Sequence, residues 1–204
     1  MAVAGKSDKI TAREAKRLQT RERLLGAATA EFKRTGMAQA DVGAIVAAAG
    51  VAHGTFFFHF PTKEHVLLEL ERREEERIAK QFRRHLTRRH ELSEDLAEAA
   101  RMVMDLETRL GGALFRDFLA LHFSPTRPSA EGGEHHPLIV LVAERIEGAQ
   151  ERGEVDDDVV AMNSAVFFLL GLYALLITTH DWPTRPELVN DYLTRTMRGL
   201  RAAR

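Results

Sequence analysis

The sequence predicts an all-α protein, and three observations support this class. Apolar residues recur at three- and four-residue steps over most of the 204 residues, which is the spacing of one helix face. No run of alternating β-branched residues bounded by hairpin turns is present. Gly, Pro or a capping residue separates most periodic stretches from the next. We therefore expect a series of helices, in a chain long enough for a substantial core.

Residues 40–67 contain the most informative local pattern. Asp41 is the predicted N-cap of a short helix, because its side chain can accept hydrogen bonds from the first backbone N–H groups. The apolar face of this helix is formed by Val42, Ile45, Val46 and Ala49. Gly50 follows the last periodic residue, and a glycine there is typical of a left-handed helix stop.

A second short helix is predicted from about Ala52 to His59, with Phe56 and Phe60 one turn apart and directed inward. Two helices joined by a short turn that contains Gly have the plan of a helix-turn-helix. The second helix of that motif can enter the major groove of DNA. This pattern alone gives many false positives, so the residues on either side of it are needed to support the assignment.

The next helix is predicted from Thr62 to about Arg89. Apolar residues anchor both of its ends, whereas the segment ERREEER at 71–77 contains none. Opposite charges four residues apart, such as Glu69 and Arg73, favour an exposed helix. We therefore expect residues 71–77 to form a solvated connector. As part of a stiff helix, this connector can transmit a pivoting movement between the N-terminal part of the chain and the rest.

Five further helices are predicted towards the C-terminus. In order, they are a helix capped by Ser93, residues 113–123, residues 137–152, a strongly apolar helix opened by Asp156 or Asp157, and residues 185–203. Residues 124–137 contain three Pro and two Gly and are predicted to form a long mobile loop.

The strongly apolar helix includes thirteen unbroken apolar or glycine residues, Ala165–Ile177. A membrane span requires ~20 apolar residues, so we expect no membrane segment. A helix that is apolar all round must be covered on all sides, and the last helix cannot cover it alone. A second copy of the chain is the economical cover, and burial within a monomer is the alternative.

The residues around the helix-turn-helix resemble the N-terminal domain of the tetracycline-repressor (TetR) family of bacterial transcription regulators. Residues 21–32, with a stripe of Leu24 or Leu25, Ala28 and Phe32, are similar to the family's first helix. The other matched positions are Gly36, AGV at 49–51, GT at 54–55, HF at 59–60 and the pair Lys63-Glu64. The resemblance implies a three-helix DNA-binding domain followed by a helical ligand-binding and dimerisation domain. It also implies a homodimer whose two C-terminal helices form a four-helix bundle with their symmetry mates.

One departure from the family lies on the predicted recognition helix. The family usually has Tyr where this chain has Phe57, and the missing hydroxyl removes a typical phosphate contact. We predict DNA contacts from His53, Gly54, Thr55, Phe57, Phe58, His59 and Lys63. Affinity would come from Lys63, its helix dipole and upstream cations. Readout would come from hydroxyl, imidazole and ring contacts. Core packing remains an alternative for Phe58.

The charge distribution favours DNA binding by one end of the chain. Net charge is −1, but residues 1–65 hold ten Lys/Arg against six Asp/Glu, a balance of +4, and the remainder sums to −5. Neutralisation of phosphates is the sequence-independent part of DNA affinity. The absence of cysteine suits the cytoplasm, and the basic N-terminus lacks the apolar region of a signal peptide.

The sequence does not favour an enzyme, a cofactor or a metal. No catalytic residues, Gly-rich phosphate cradle, nucleophile elbow or clustered carboxylate pair stand out. Of the nine histidines, His135 and His136 lie in the predicted loop, and His85 and His90 are five apart, which is wrong for one helix face. No HxxxH or HExxH occurs, so we expect loop and surface histidines without metal.

A small-molecule pocket is predicted among the middle helices, where the family binds effectors. Aromatic and Met side chains with a single polar group suit an apolar or aromatic ligand. The candidate residues are Met102, Leu106, Phe115, Phe118, His122 and Phe168. Helical spacing makes all of them candidate core residues as well.

Together these observations predict a flexible basic arm at 1–18, a helix-turn-helix DNA-binding domain at 19–66 and a ligand-binding and dimerisation domain at 67–204. The predicted function is a cytoplasmic, homodimeric, ligand-responsive repressor that binds near-palindromic double-stranded operator DNA. The alternative is an all-helical small-molecule carrier with a degenerate DNA-binding head. A helical enzyme with a hydrophobic substrate is a second alternative.

Overall fold

The structure is a computed structural model that describes residues 11–125, 127–128 and 136–201. The described residues form α-helices and contain no strand, apart from an isolated bridge between Val155 and Arg201. The predicted all-α class is therefore confirmed. The helices are α1 Ala12–Thr35, α2 Val42–Ala49, α3 His53–His59, α4 Lys63–His85, α5 Leu92–Leu110, α6 Gly112–Leu121, α7 Pro137–Glu151, α8 Ala161–Thr178 and α9 Arg185–Leu200.

The chain divides into two compact units, residues 1–66 and 67–204. The first unit contains α1, α2, α3 and the first residues of α4. Its core is formed by Leu24, Leu25, Ala28, Phe32, Ile45, Val46, Ala49, Phe56, Phe60 and Val66. The second unit contains the rest of α4 and the five helices α5–α9, packed around apolar residues that all five contribute.

Helix α1 begins earlier than the sequence indicated. We expected a flexible arm over residues 1–18, but Ala12–Leu18 form the first turns of α1, while residues 1–10 lie outside the described residues. Thr11 caps this start, because its hydroxyl accepts a hydrogen bond from the Glu14 N–H at 3.2 Å. Good helix formers, including Arg13 and Lys16, then carry the helix into its apolar stripe.

The helix-turn-helix has the local structure that the sequence predicts. The Asp41 carboxylate accepts hydrogen bonds from the N–H groups of Gly43 and Ala44, at 2.8 and 3.3 Å. Gly50 ends α2 with φ +63°, a conformation that strains residues with a Cβ. Helices α2 and α3 are bent by 95° relative to each other, within the range of DNA-binding motifs.

Several helix boundaries in the second unit differ from the predicted ones. Helix α4 ends at His85, not near Arg89. Helix α5 is capped by Glu91 instead of Ser93, because the Glu91 and Glu94 side chains form a reciprocal capping box. Helix α8 begins at Ala161, since Asp156 caps a turn through the N–H of Asp158 and not the helix itself.

Helix α8 is packed on one side and open on another. Its Ala165, Phe168, Leu169, Leu172, Tyr173 and Leu176 are buried, whereas Phe167 is 70% exposed. The hydroxyl of Tyr192 on α9 donates to the carbonyl oxygens of Phe168 and Phe167 at 2.7 and 3.2 Å. The helix is long and apolar enough to cross a membrane, and 39% of it is buried within the chain. Core helices of soluble proteins share this property, so it does not establish a span.

Candidate DNA-binding surface and ligand region

The phenylalanines of α3 divide between the core and the surface. Phe56 is completely buried, and Phe60 beyond the helix end is buried with it. Phe57 is 46% exposed and Phe58 is 73% exposed. The Phe57 ring contacts His53 at 5.6 Å between centroids, and Phe58 contacts His59 edge-on at 5.1 Å. The outer surface of α3 therefore presents paired aromatic rings, and the core interpretation of Phe58 is wrong.

The other predicted contact residues of α3 lie on the same surface. His53 and Gly54 are exposed, and Thr55 and His59 are partly exposed. A Cβ placed on Gly54 would meet no heavy atom within 4 Å, so the backbone is open to a close approach from outside. Burial, together with the positive charges of Arg21 and Arg17, lowers the pKa of His59. The imidazole of His59 is therefore neutral near pH 7 and can act as both donor and acceptor.

Lys63 has a structural role that the sequence did not reveal. Its Nζ donates hydrogen bonds to the carbonyl oxygens of Ala38 and Ala40, at 2.9 and 3.3 Å. These bonds join the start of α4 to the segment between α1 and α2. An ammonium has three N–H donors, so one remains for a phosphate oxygen. Arg21 contributes another positive charge to this unit, and its guanidinium carbon lies 4.2 Å from the centroid of the Phe60 ring.

The six predicted ligand residues are packed within the second unit. Leu106, Phe115, Phe118 and Phe168 are almost completely buried, and Met102 and the His122 side chain are each 6% exposed. An open groove of about 550 Å³ lies between α4 and α5. Its lining residues are Arg77, Gln81, Arg84, Arg101, Met102, Asp105, Thr108 and Arg109. Only Met102 belongs to both sets, so the groove is more basic than the predicted pocket.

Helix α4 contains two buried carboxylates where we expected a solvated connector. Glu71 is 2% exposed and Glu75 is 7% exposed, one turn apart on the face that packs into the second unit. The Arg127 guanidinium donates to both oxygens of Glu71 at 2.8 Å, a bidentate pair. The connector prediction is therefore wrong at these two positions, although Arg72 and Glu76 between and beyond them are exposed.

Two histidines complete this cluster. The Nε2 atom of His122, just after α6, lies 3.1 Å from Glu71 Oε1 and 3.5 Å from Glu75 Oε1. The Nδ1 atom of His136, just before α7, lies 3.2 Å from Glu75 Oε1. We name Glu71, Glu75, His122 and His136 the α4 cluster. The two imidazoles come from different segments, so their own spacing gave no signal. The expectation that the sequence contains no clustered carboxylate pair is wrong, because Glu71 and Glu75 meet in this cluster.

The electrostatics of the α4 cluster are set by burial and by proximity. Burial alone would raise the pKa of Glu75, but the neighbouring imidazoles of His122 and His136 outweigh it and lower the pKa. The contact with Glu75 raises the pKa of His136. Burial raises the pKa of Tyr173, whose neutral ring lies 4.7 Å edge-on from that of His122.

A second polar cluster lies at the other end of α4. The completely buried Asp95 accepts a hydrogen bond from Arg145 Nε at 2.6 Å and pairs with His85 Nε2 at 3.0 Å. The rings of His85 and His90 stack at 3.9 Å. These histidines are brought together because α4 ends at His85, so the single-helix argument against their proximity does not apply. We name His85, His90 and Asp95 the Asp95 cluster.

Comparison with known proteins agrees with this fold and with the helix-turn-helix. The family model for bacterial regulatory proteins of the tetR family matches residues 24–70. The HTH-type transcriptional regulator UidR of Escherichia coli (strain K12) is 27% identical over 147 residues, which are 71% of this chain and 74% of UidR.

Solved structures share the fold over most of the chain. Thermus thermophilus FadR, a TetR family transcriptional repressor in complex with lauroyl-CoA, has a TM-score of 0.72 and 21% identity over 90% of this chain and 96% of its own. RolR in complex with resorcinol has a TM-score of 0.67 and 18% identity over 91% of this chain and 89% of its own.

The helix-turn-helix and these relatives define a DNA-binding transcription regulator, not an enzyme. Residues 24–70 match the tetR family of bacterial regulatory proteins, and the fold of most of the chain is shared with solved members of that family. These findings confirm the resemblance, the fold class and the general function that the sequence predicts.

Proposed function

We propose that the chain is a cytoplasmic, homodimeric, small-molecule-responsive repressor. The observation that carries the proposal is the exposed aromatic surface of α3 on a capped helix-turn-helix. Exposed rings next to one another cost solvation free energy unless a partner covers them. In the proposed complex, α3 of each subunit lies in the major groove of one half-site of a near-palindromic operator.

The proposed DNA contacts divide into readout and positioning. Phe58 and Phe57 can contact thymine methyl groups or sugars, while Thr55, His53 and His59 can form hydrogen bonds to base edges. Gly54 allows close approach, and Lys63 contributes positive charge to phosphates. Because Phe57 lacks a hydroxyl, the rings supply contact area and the cations of α1 and α4 supply the electrostatic attraction.

The proposed dimer is formed by α8 and α9. The apolar side chains of Phe167 and Met162 are exposed on the strongly apolar helix α8. On α9, Leu193 and Met197 are partly exposed. A four-helix arrangement with a second copy would cover these residues. Size-exclusion chromatography with light scattering should show a dimer for the wild type and a monomer for Phe167→Glu. A monomeric wild type at micromolar concentration contradicts this part of the proposal.

The proposed effector is a small apolar or aromatic molecule bound among the middle helices. The buried residues Leu106, Phe115, Phe118 and Phe168, together with Met102 and His122, are proposed to line this site. The relatives FadR and RolR, crystallised with lauroyl-CoA and resorcinol, support small-molecule response. An effector can shift the protein only through different affinities for its two arrangements, so binding must accompany a repacking of these side chains.

A gel-shift titration against the DNA upstream of the protein's own gene tests the function. We expect sequence-specific binding that persists at moderate salt and is weakened in the variant Phe58→Ala. Binding that ignores sequence and vanishes at moderate salt would instead favour the alternative of a small-molecule carrier with a degenerate head.

A further inference from the structure

We infer that the α4 cluster is a binding site for one divalent transition-metal ion of the Zn²⁺ type. The site consists of two carboxylates from α4, one imidazole that follows α6 and one that precedes α7. Imidazole nitrogen and carboxylate oxygen are both normal zinc ligands, and a set of four suits tetrahedral coordination.

The distances in the α4 cluster fit this geometry. Ligands about 2.0–2.2 Å from a tetrahedral Zn²⁺ lie about 3.4 Å from one another. The separations are 3.1 Å from Glu71 Oε1 to His122 Nε2, 3.5 Å from His122 Nε2 to Glu75 Oε1, and 3.2 Å from Glu75 Oε1 to His136 Nδ1. One donor atom from each residue lies within 4.8 Å of the other three. The side chains therefore need only small adjustments to surround an ion.

His122 supplies the observation that ion pairing alone does not explain. Its side chain is 6% exposed, and neither ring nitrogen has a hydrogen-bond partner among the described residues. Nε2 is nevertheless close to oxygens of both Glu71 and Glu75. A nitrogen that is near two carboxylates but aligned with neither is placed to share a cation with them. A buried polar atom without a partner is otherwise costly.

The charge around the α4 cluster also favours a cation. Two buried carboxylates face the guanidinium of Arg127, and their other partners are the imidazoles of His122 and His136, which are neutral when they bind a metal ion. Arg127 does not block coordination, because each carboxylate oxygen has a second lone pair. Its bidentate contact would hold Glu71 in position from outside the coordination shell, as outer-shell partners of metal ligands do.

A metal at this position would connect three helices through α4. Glu71 and Glu75 belong to the helix that begins at Lys63, directly after the helix-turn-helix, and the imidazoles belong to the ends of α6 and α7. Occupancy would therefore fix α4 against α6 and α7. We expect it to alter operator affinity at least about fivefold, the lower end of typical coupling between sites. This consequence, unlike the metal site itself, rests on the proposed function.

The site is tested by titrating metal-free, tag-free protein with ZnCl₂ alone in a calorimeter. We expect one ion per chain, and no comparable binding of Mg²⁺, which prefers six oxygen ligands and keeps its water. The variant Glu75→Gln should bind at least about 100-fold more weakly, since loss of even an outer-shell partner costs 10–100-fold. Glu76→Gln, one residue away and exposed, is the matched control and should bind as the wild type does.

Two further measurements keep the outcome decisive. Circular dichroism of each metal-free variant shows whether it folds. If Glu75→Gln does not fold, His136→Gln provides a second ligand change at a partly exposed side chain. The visible spectrum of bound Co²⁺ should indicate tetrahedral coordination in the wild type and in Glu76→Gln, but not in Glu75→Gln. Absence of Zn²⁺ binding, equal binding by Glu75→Gln, or loss of binding only on substitution of His85 in the Asp95 cluster would overturn the metal site.

Gel shifts with and without Zn²⁺ then separate the site from the proposed function. Zn²⁺ binding in the calorimeter without any operator binding would reject the repressor and leave the site intact. Operator binding that Zn²⁺ leaves unchanged would reject the coupling alone.

Discussion

Among the described residues, two phenylalanine rings of α3 in the first unit are exposed, whereas two carboxylates of α4 in the second unit are buried. Phe57 and Phe58 lie on the surface of the first unit, whose remaining large apolar side chains are mostly in its core. Glu71 and Glu75 lie in the interior of the second unit, whose other acidic side chains are mostly at the surface. Each arrangement costs free energy unless something compensates for it. The comparison agrees with the two proposals, that DNA covers the exposed rings of the first unit and that a cation binds the buried carboxylates of the second.

The largest expected effect comes from breaking the compensation inside the second unit. Arg127→Ala leaves Glu71 buried without its bidentate partner, and such a loss typically costs 3–5 kcal/mol. We expect the free energy of unfolding to fall by about 3 kcal/mol, since the Arg127 side chain is slightly exposed. Urea unfolding at fixed protein concentration measures this change. Arg72→Ala, on the exposed side of α4, should change stability by less than about 1 kcal/mol.

The exposed rings of the first unit predict a different pattern. Phe58→Ala should weaken specific operator binding by about 1–3 kcal/mol, the range for one good base contact, while stability stays nearly unchanged. A gel shift and a thermal melt on the same preparation check both parts. Phe56→Ala, its buried neighbour, should instead destabilise the fold by about 3–5 kcal/mol. If Phe58→Ala also destabilised the fold, the ring would be a core residue after all.

A smaller change sharpens the description of the same surface. Phe57→Tyr restores the hydroxyl that the family usually has at this position. We expect operator binding to become tighter by about 1 kcal/mol, the typical net value of one hydrogen bond, through a new contact with a phosphate. Competition gel shifts at two salt concentrations measure it. Unchanged affinity would mean that no phosphate lies within reach of position 57.

The smallest expected effect concerns the backbone of α3. Gly54→Ala places a methyl group in open space, so stability should rise by up to about 0.5 kcal/mol through helix propensity. Operator affinity should nevertheless fall by less than about tenfold, which corresponds to 1.4 kcal/mol. Opposite signs in a melt and a gel shift would support close approach of DNA at Gly54. Matching signs would argue against it.

Local sequence signals predicted the first unit well because its structure depends on local chemistry. The Asp41 cap, the left-handed Gly50 and the inward Phe56 each follow from one or two neighbouring residues. The early start of α1 was missed because basic residues suggested an arm, although Thr11 and Glu14 form a good cap. In this unit, charge composition was the misleading signal and capping chemistry the reliable one.

The second unit was predicted less completely because its buried polar contacts join residues that are far apart in the sequence. Nothing near Glu71 in the sequence indicates that His122 and Arg127, about fifty residues later, will surround it. The spacing of Glu71 and Glu75 by one turn was visible, but intervening charged residues favoured a solvated face. Helical periodicity identified the buried Phe115 and Phe118 correctly as candidate core, while their role towards an effector remains a prediction.

The two hydrogen bonds of Lys63 have a consequence for how movement spreads through the first unit. The donor belongs to the opening turn of α4, and both acceptors belong to the short stretch that leads into Asp41 and α2. A displacement of that turn must either drag this stretch with it or sever both bonds. The entry to the helix-turn-helix is thus tethered to α4 at a second point besides the peptide chain itself, so a modest rotation would reach α2 without passing through α3.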